Sequence, residues 1–501
     1  MSLPAARGPA LVAERDELAL AMDRACGARP IEGNSIELYS ESPRALDAML
    51  ELIARAERWV HFENYIIRGD RTGRRFADAL EARARAGVPV RVLYDALGSL
   101  GTPRRFWRRL RQAGVEVRAF HPLLSLRPFE LLSRDHRKLV VADGTHAMTG
   151  GLCVGDEWAG DPARRRLPWR DTMLAMRGSA VPALDRAFGR VWRRAGAPLP
   201  PDELAASVDG AGGCTARVVE GVPGGARVYR AVQLLAAGAA QRLWITDAYL
   251  IPPAPLYASL LDAARDGVDV RLLVPGTSDV PVVRNFTRVG YRELLRAGVR
   301  VFEYQGPMLH AKTLVADRRW ARVGSSNLNV SSLLTNYELD VVVESEPLTD
   351  ALAGQFERDL AAGREIALVA RRGGRLPPRL MGTAATAGDA LTTTGEHKRS
   401  GYELGAVAVV ALRRVAGGLR RAIAWTAALT CAGLGALLLL FPRVTSIVLA
   451  AGTFWLAVTF GLSALERRRA RDRARGTAQR PAPPSPDGDA RDVGRRADDD
   501  R

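Results

Sequence analysis

Two segments of the chain repeat one pattern of chemically capable side chains: His136-x-Lys138-x4-Asp143 and His310-x-Lys312-x4-Asp317. Only six histidines and three lysines occur among 501 residues, so about 0.04 His-x-Lys pairs are expected by chance. Two are present, each with an aspartate five residues beyond its lysine. Almost all other basic charge is arginine, so a retained lysine points to a need for a compact ammonium rather than a planar fork. Such groups suit phosphodiester chemistry. A neutral imidazole attacks phosphorus well when a second group protonates the departing alkoxide, and two histidines can divide those tasks. Both protonation states of imidazole are accessible near neutrality. Two ammonium groups then supply positive charge to the phosphate oxygens as the five-coordinate transition state forms. This chemistry calls for no metal or cofactor, and no acidic cluster with metal-ligand spacing adjoins either motif.

Seven residues after each motif aspartate comes a glycine-led turn, Gly150-Gly151-Leu152-Cys153 and Gly324-Ser325-Ser326-Asn327. Gly151, Ser325 and Asn327 are the expected phosphate contacts, through backbone donors, a hydroxyl and an amide. An acidic residue follows each turn, Asp171 in WRDT and Glu338 in NYEL. A carboxylate bonded to the far nitrogen of an imidazole fixes its tautomer and orientation. Asp143 and Asp317 complete the motifs and are grouped with the catalytic set, although aspartates at strand ends are more often structural. Glu157 reads as a loop carboxylate. His61, His121, His146 and His397 stand unpaired and read as ordinary histidines.

Strands and helices must position these groups. From about residue 31, short β-branched runs such as 59–67, 88–95, 115–120 and 138–143 alternate with helical text, which indicates an α/β domain with a buried sheet. Each motif lies on strand-like text, where residues i and i+2 share a face, so histidine and lysine point together. The text itself recurs: 85–93 resembles 265–273, 110–120 resembles 294–304, and 134–143 resembles 308–317. Three matches in one order mean an internal duplication, with the site on the interface between copies. The expected layout is an extension over 1–30 with a helix over 8–25, repeats over 31–200 and 215–370, and a linker over 371–405. A membrane hairpin with basic flanks follows over 406–466, then a disordered tail over 467–501.

That hairpin rests on two uncharged runs, Ala422–Phe441 and Val444–Leu465, each long enough for a bilayer core of roughly 30 Å. Arginines crowd both outer flanks, while the turn holds only Arg443, so both ends are expected to face the cytoplasm. No secretory signal is expected at the N-terminus, where charged residues interrupt every apolar run. The net charge of +17 suggests an anionic partner, and 6% aromatic content is low for a stacking platform on single-stranded nucleic acid. Four scattered cysteines argue against a disulfide framework or a thiolate zinc site and fit a reducing compartment.

With its two His-x-Lys-x4-Asp motifs, each followed by a Gly-Ser-x-Asn-like turn, the sequence resembles the phospholipase D superfamily over about residues 31–370. The segments 33–67, GGLCVGDEW and WRDT are most similar to bacterial cardiolipin synthases. The resemblance implies a duplicated α-β-α sandwich with pseudo-twofold symmetry and both histidines at one centre. It also implies ping-pong phosphatidyl transfer through a phosphohistidine, with His136 as nucleophile, His310 as acid and base, and Lys138 and Lys312 on phosphate. Cardiolipin would form from phosphatidylglycerol at the bacterial inner membrane, the catalytic domain facing the cytoplasm. The partners implied are anionic phospholipids and not nucleic acid. Hydrolysis to phosphatidic acid, a nuclease activity and a silent lipid-binding scaffold are the alternatives. Two features depart from the family pattern: Cys153 replaces an asparagine, and the hydrophobic pair lies at the C-terminal end.

Overall fold

The computed structural model describes residues 17–122 and 133–368. The expected linker, hairpin, tail and His397 lie outside the described residues, among which no helix is long and apolar enough to cross a membrane. The first copy of the repeat contributes β1 (Ile31–Tyr39), β2 (Val60–Asn64), β3 (Val90–Asp95), β4 (Glu116–Phe120), β5 (Lys138–Ala142), β6 (His146–Gly150) and β7 (Met173–Gly178). The second contributes β8 (Cys214–Gly221), β9 (Arg242–Thr246), β10 (Asp269–Pro275), β11 (Arg300–Tyr304), β12 (Thr313–Ala316), β13 (Trp320–Gly324) and β14 (Glu338–Glu344). A short β15 (Gly363–Ile366) adds to the far edge.

All fifteen form one sheet, in the order β15-β11-β10-β9-β12-β13-β14-β8-β1-β7-β6-β5-β2-β3-β4. Outward from the centre, each half therefore runs through the same sequence of equivalent strands. The two halves meet at the antiparallel pair β1–β8, whose register shifts between Ile31 and Asn34. Asn34 is fully buried and fills that irregularity: its amide donates to the Ile31 and Cys214 carbonyls, and its oxygen accepts from the Ala180 N–H. Within each half, three strands run parallel (β2-β3-β4 and β9-β10-β11). Helices make the crossovers, as parallel pairing demands.

The strands read as apolar runs because both faces are covered. Along β5, Leu139 and Val141 pack into a core with helices Val181–Arg194 and Glu346–Ala361, while Val140 and Ala142 face helices Ser42–Arg55 and Arg71–Arg85. In β12, Val315 joins the first core and Leu314 and Ala316 face the helices of the second half. This is the expected three-layer α/β arrangement. The helix expected over 8–25 is described from Glu17 to Cys26, and it buries Met22 and Cys26 in the second half's core.

The motif aspartates depart from expectation. Each sits in the hairpin at the far end of its strand from the histidine, at a left-handed φ of 59° for Asp143 and 54° for Asp317. Asp143 accepts from the N–H groups of Glu57, Arg58 and Trp59, and Asp317 from those of Ala240, Gln241 and Arg242. Their carboxylates tie the hairpin to the strand entering alongside, so the catalytic grouping is corrected to a structural one. Asp317→Ala would strip three N–H groups of their acceptor and is expected to cost about 2 kcal/mol, the half-exposed site limiting the loss. A lower thermal midpoint with unchanged turnover per folded molecule checks this.

Candidate active site

The two histidines are placed by a reciprocal stitch between the halves. The His136 N–H donates to the Tyr337 carbonyl at 2.9 Å and the Tyr337 N–H to the Arg134 carbonyl at 2.8 Å. The His310 N–H donates to the Arg170 carbonyl at 2.7 Å, and the Arg170 N–H to the Met308 carbonyl at 2.9 Å. Tyr337 and Arg170 each precede an acidic residue, so the stitch brings each carboxylate against the other half's histidine. His136 Nδ1 lies 3.0 Å from Glu338 Oε2, and His310 Nδ1 lies 2.7 Å from Asp171 Oδ2. Both carboxylates are fully buried and both rings nearly so. With the Nδ1–H given to a carboxylate, each ring keeps an Nε2 lone pair for chemistry.

The carboxylates are themselves held. Glu338 accepts from Ser325 Oγ at 2.5 Å and from Ser332 Oγ. Asp171 accepts from Trp158 Nε1 at 3.0 Å and from the Thr172 N–H at 2.8 Å. Burial alone would raise both acids. The facing histidines and the nearby lysines outweigh it, and both stay below the ordinary carboxylate value.

The lysines follow their histidines on the same face, each donating to the carbonyl two residues back, Lys138 to His136 and Lys312 to His310. Lys312 Nζ also stands 2.9 Å from His310 Nδ1. That nitrogen cannot serve both neighbours, and the hydrogen belongs with the Asp171 carboxylate, so the ammonium acts there as a repelling charge. Burial first and Lys312 second push the His310 imidazole down to about 4, against the pull of Asp171. His136 is lowered by burial, with Lys138 and Lys312 adding to it and Glu338 opposing. Burial brings Lys312 down to about 8 despite Asp171 and Asp247, with Lys138 adding to the fall. Each histidine thus feels the lysine of the other half, which fits one shared cluster. It consists of neutral imidazoles beside buried cations.

The expected phosphate cradle is only partly there. Ser325 is fully buried, donates to Glu338 and accepts from the Leu339 N–H. The Gly151 N–H is taken by the Thr172 carbonyl at 3.0 Å. Both are corrected from phosphate contacts to supports of the histidine-bound acids. Asn327 is buried and its Oδ1 has no partner among the described residues; only its Nδ2 amide could donate to a phosphate oxygen. Cys153, its counterpart, is also buried, close enough to both lysines for each to lower its thiol, although burial raises it overall.

A family model described as "Cardiolipin synthase, PLD-like domain" matches residues 49–155 and 233–360. Cardiolipin synthase A of Pseudomonas aeruginosa is 36% identical over 346 residues, which cover 68% of this chain and 70% of that one. The chain belongs to the cardiolipin synthase family. The cardiolipin synthase of Oceanobacillus iheyensis, another relative, is 33% identical over 333 residues, 66% of this chain and 69% of its own. The crystal structure of phosphatidylserine synthase from Haemophilus influenzae shares the fold, with a TM-score of 0.55 at 12% identity over 70% of this chain and 92% of that one.

In this member of the cardiolipin synthase family, several residues near the histidines carry no motif signal. Tyr65 meets the His136 ring edge-on at 4.8 Å between centroids, with Lys138 Nζ 5.2 Å from its ring. Trp158 and Trp169 lie 5.5 and 5.9 Å from the His310 ring. Asp247, buried beside Lys312, is raised by burial to about 6 and accepts from the Tyr249 and Leu328 N–H groups. Trp158 and Trp169 had a sequence cue, since GDEW and WRDT were already singled out, though for Glu157 and Asp171. The Glu157 carboxylate pairs with Arg68 at 3.1 Å, as a loop acid would. Among the unpaired histidines, His61 is a core residue whose Nδ1 bonds Asp185 at 2.6 Å, with Glu203 3.6 Å from its Nε2.

Proposed function

We propose that this chain is a phosphatidyltransferase that joins two phosphatidylglycerol molecules into cardiolipin and releases glycerol. The observation that carries the reading is the crossed pairing of His136 with Glu338 and His310 with Asp171, inside a cluster holding both lysines. Binding of the anionic phosphate favours an imidazolium, so His310 Nε2 takes up a proton from solvent as the first lipid enters. His136 Nε2 then attacks the phosphorus while His310 passes that proton to the departing glycerol oxygen. The products are phosphatidyl-His136 and free glycerol. His310, now neutral, takes the hydroxyl proton of a second phosphatidylglycerol, whose oxygen displaces His136 to give cardiolipin. Lys138, Lys312 and Asn327 bind the phosphate oxygens, and Glu338 and Asp171 orient the rings. Nothing in this cycle consumes a cofactor.

The membrane parts belong to the same reading. Residues 422–441 and 444–465 cross the bilayer as a hairpin, and the arginine-rich flanks hold both ends and the catalytic halves on the cytoplasmic side of a bacterial inner membrane. Purified protein incubated with phosphatidylglycerol is expected to release cardiolipin and glycerol, with His136→Ala as the blank. Phosphatidic acid as the sole product would make the protein a hydrolase, and no lipid turnover would overturn the reading. Enzyme quenched rapidly in denaturing detergent at neutral pH should carry a phosphatidyl adduct on His136; an adduct on His310 would reverse the two roles.

A pH dependence follows from Lys312 as a phosphate-binding cation. Its proton is present below about pH 8 and lost above it. Because kcat/KM reports the free enzyme, it is expected to fall about tenfold per pH unit above that point. Lys312→Arg should lower the rate but remove this alkaline limb, because guanidinium keeps its charge.

A further inference from the structure

The large apolar side chains left exposed among the described residues gather at one end of the fold. It is the end that carries the histidines. Strands β2–β4 and β9–β11 finish there, since Asn64 at the end of β2 pairs with Lys138 at the start of β5. Leu97 and Leu100 follow β3, and Leu100 is 62% exposed. Phe286 and Val289, 49% and 79% exposed, stand in the first nine residues of helix Pro281–Arg296, which leaves the same end of β10. Leu167, 70% exposed, comes three residues before Arg170 and its bond to Met308. The exception is Leu368, which follows β15 at the opposite end.

Basic charge accompanies these residues. Arg104 and Arg105 follow Leu100, and Arg165 and Arg166 precede Leu167. All four are exposed, and none forms an ion pair with a described residue. Single exposed apolar residues are ordinary, but several of them, from both halves, near the end that carries the histidines point to an interface. Apolar tips interspersed with unpaired guanidinium groups match an anionic bilayer, where the tips reach the acyl boundary and the cations meet phosphates.

We propose that this end of the catalytic fold is itself a membrane-docking face, with Leu97, Leu100, Leu167, Phe286 and Val289 entering the interfacial layer of an anionic phospholipid bilayer. The inference rests on the phospholipid reading above and adds a contact separate from the hairpin. Docked in this way, the site opens onto headgroups, and a lipid reaches the histidines without leaving the bilayer completely.

The test uses the full chain in vesicles of phosphatidylglycerol and phosphatidylcholine. An environment-sensitive fluorophore is placed on Phe286→Cys, with Cys214 and Cys431 changed to serine. A blue shift with quenching by acyl-brominated lipid is the expected result. A blue shift without that quenching means protein covers the face, either the chain's own residues 406–466 or a second copy, and overturns the proposal, as does no shift. In parallel, Phe286→Ser with Val289→Ser should lower turnover of vesicular phosphatidylglycerol at least tenfold. Turnover of a soluble short-chain analogue should stay within twofold of wild type. Loss of both activities or of neither overturns the proposal. If wild type turns over neither lipid, the phosphatidyltransferase reading fails, while the quenching still decides the docking.

Discussion

Asp171→Asn is expected to lower kcat for phosphatidylglycerol by about a thousandfold to ten-thousandfold while leaving the fold intact, a loss of the size found when a histidine's carboxylate becomes an amide. The carboxylate has no freedom to accept the change. Oδ2 takes hydrogen bonds from both His310 Nδ1 and Trp158 Nε1, and Oδ1 takes one from the Thr172 N–H. An amide nitrogen at the first position would face two donors. At the second it would face the Thr172 N–H, leaving an oxygen toward His310 but no negative charge to stabilise the imidazolium. Either orientation weakens the proton transfers. Glu338→Gln should be milder structurally, because the Ser325 and Ser332 hydroxyls can rotate to accept rather than donate. Since both acids serve one cycle, the double variant should lose much less than the sum of the two losses. Steady-state rates with near-ultraviolet circular dichroism check the first claim. A wild-type rate in Asp171→Asn would refute the orienting role.

Much of this site was legible in the sequence because its parts are local. The motif spacing put His136 with Lys138 and His310 with Lys312, and the duplication put both pairs on a shared interface. Asp171 and Glu338 were also visible, in WRDT and NYEL beyond each turn. Their exchange between halves was not, because it joins residues 139 and 202 positions apart through a stitch that exists only once the sheet is closed. The Gly-Ser-x-Asn turn misled for a physical reason. A serine hydroxyl after a glycine can face a ligand or the strand beneath, and Ser325 is turned inward by the Leu339 N–H and the Glu338 carboxylate. The motif aspartates misled similarly: they recur because two hairpins need the same backbone anchor, and recurrence alone does not separate an anchor from a catalyst. The apolar rim left no pattern to read, since its members come from loops and one helix far apart in the chain.

Gly151→Ala separates the corrected role of that turn from the expected one. Were the Gly151 N–H a phosphate donor, a small side chain there would mainly raise KM. That N–H is already bound by the Thr172 carbonyl, and the space a methyl would need is filled by Asp171, with Oδ1 at 2.2 Å and Cγ at 3.0 Å from the added carbon. A contact of 2.2 Å is far inside van der Waals range, so either the turn or the carboxylate must move. The Trp158 and His310 bonds hold the carboxylate from one side, and the cheapest escape breaks one of them. A shift of about 1 Å at a positioning group costs on the order of a hundredfold. The expected result is therefore a kcat lowered about a hundredfold or more with KM nearly unchanged. Combining Gly151→Ala with Asp171→Asn should add little to the latter alone, because both act on the same bond to His310. A rise in KM at constant kcat would restore Gly151 to the phosphate and place Asp171 outside its influence.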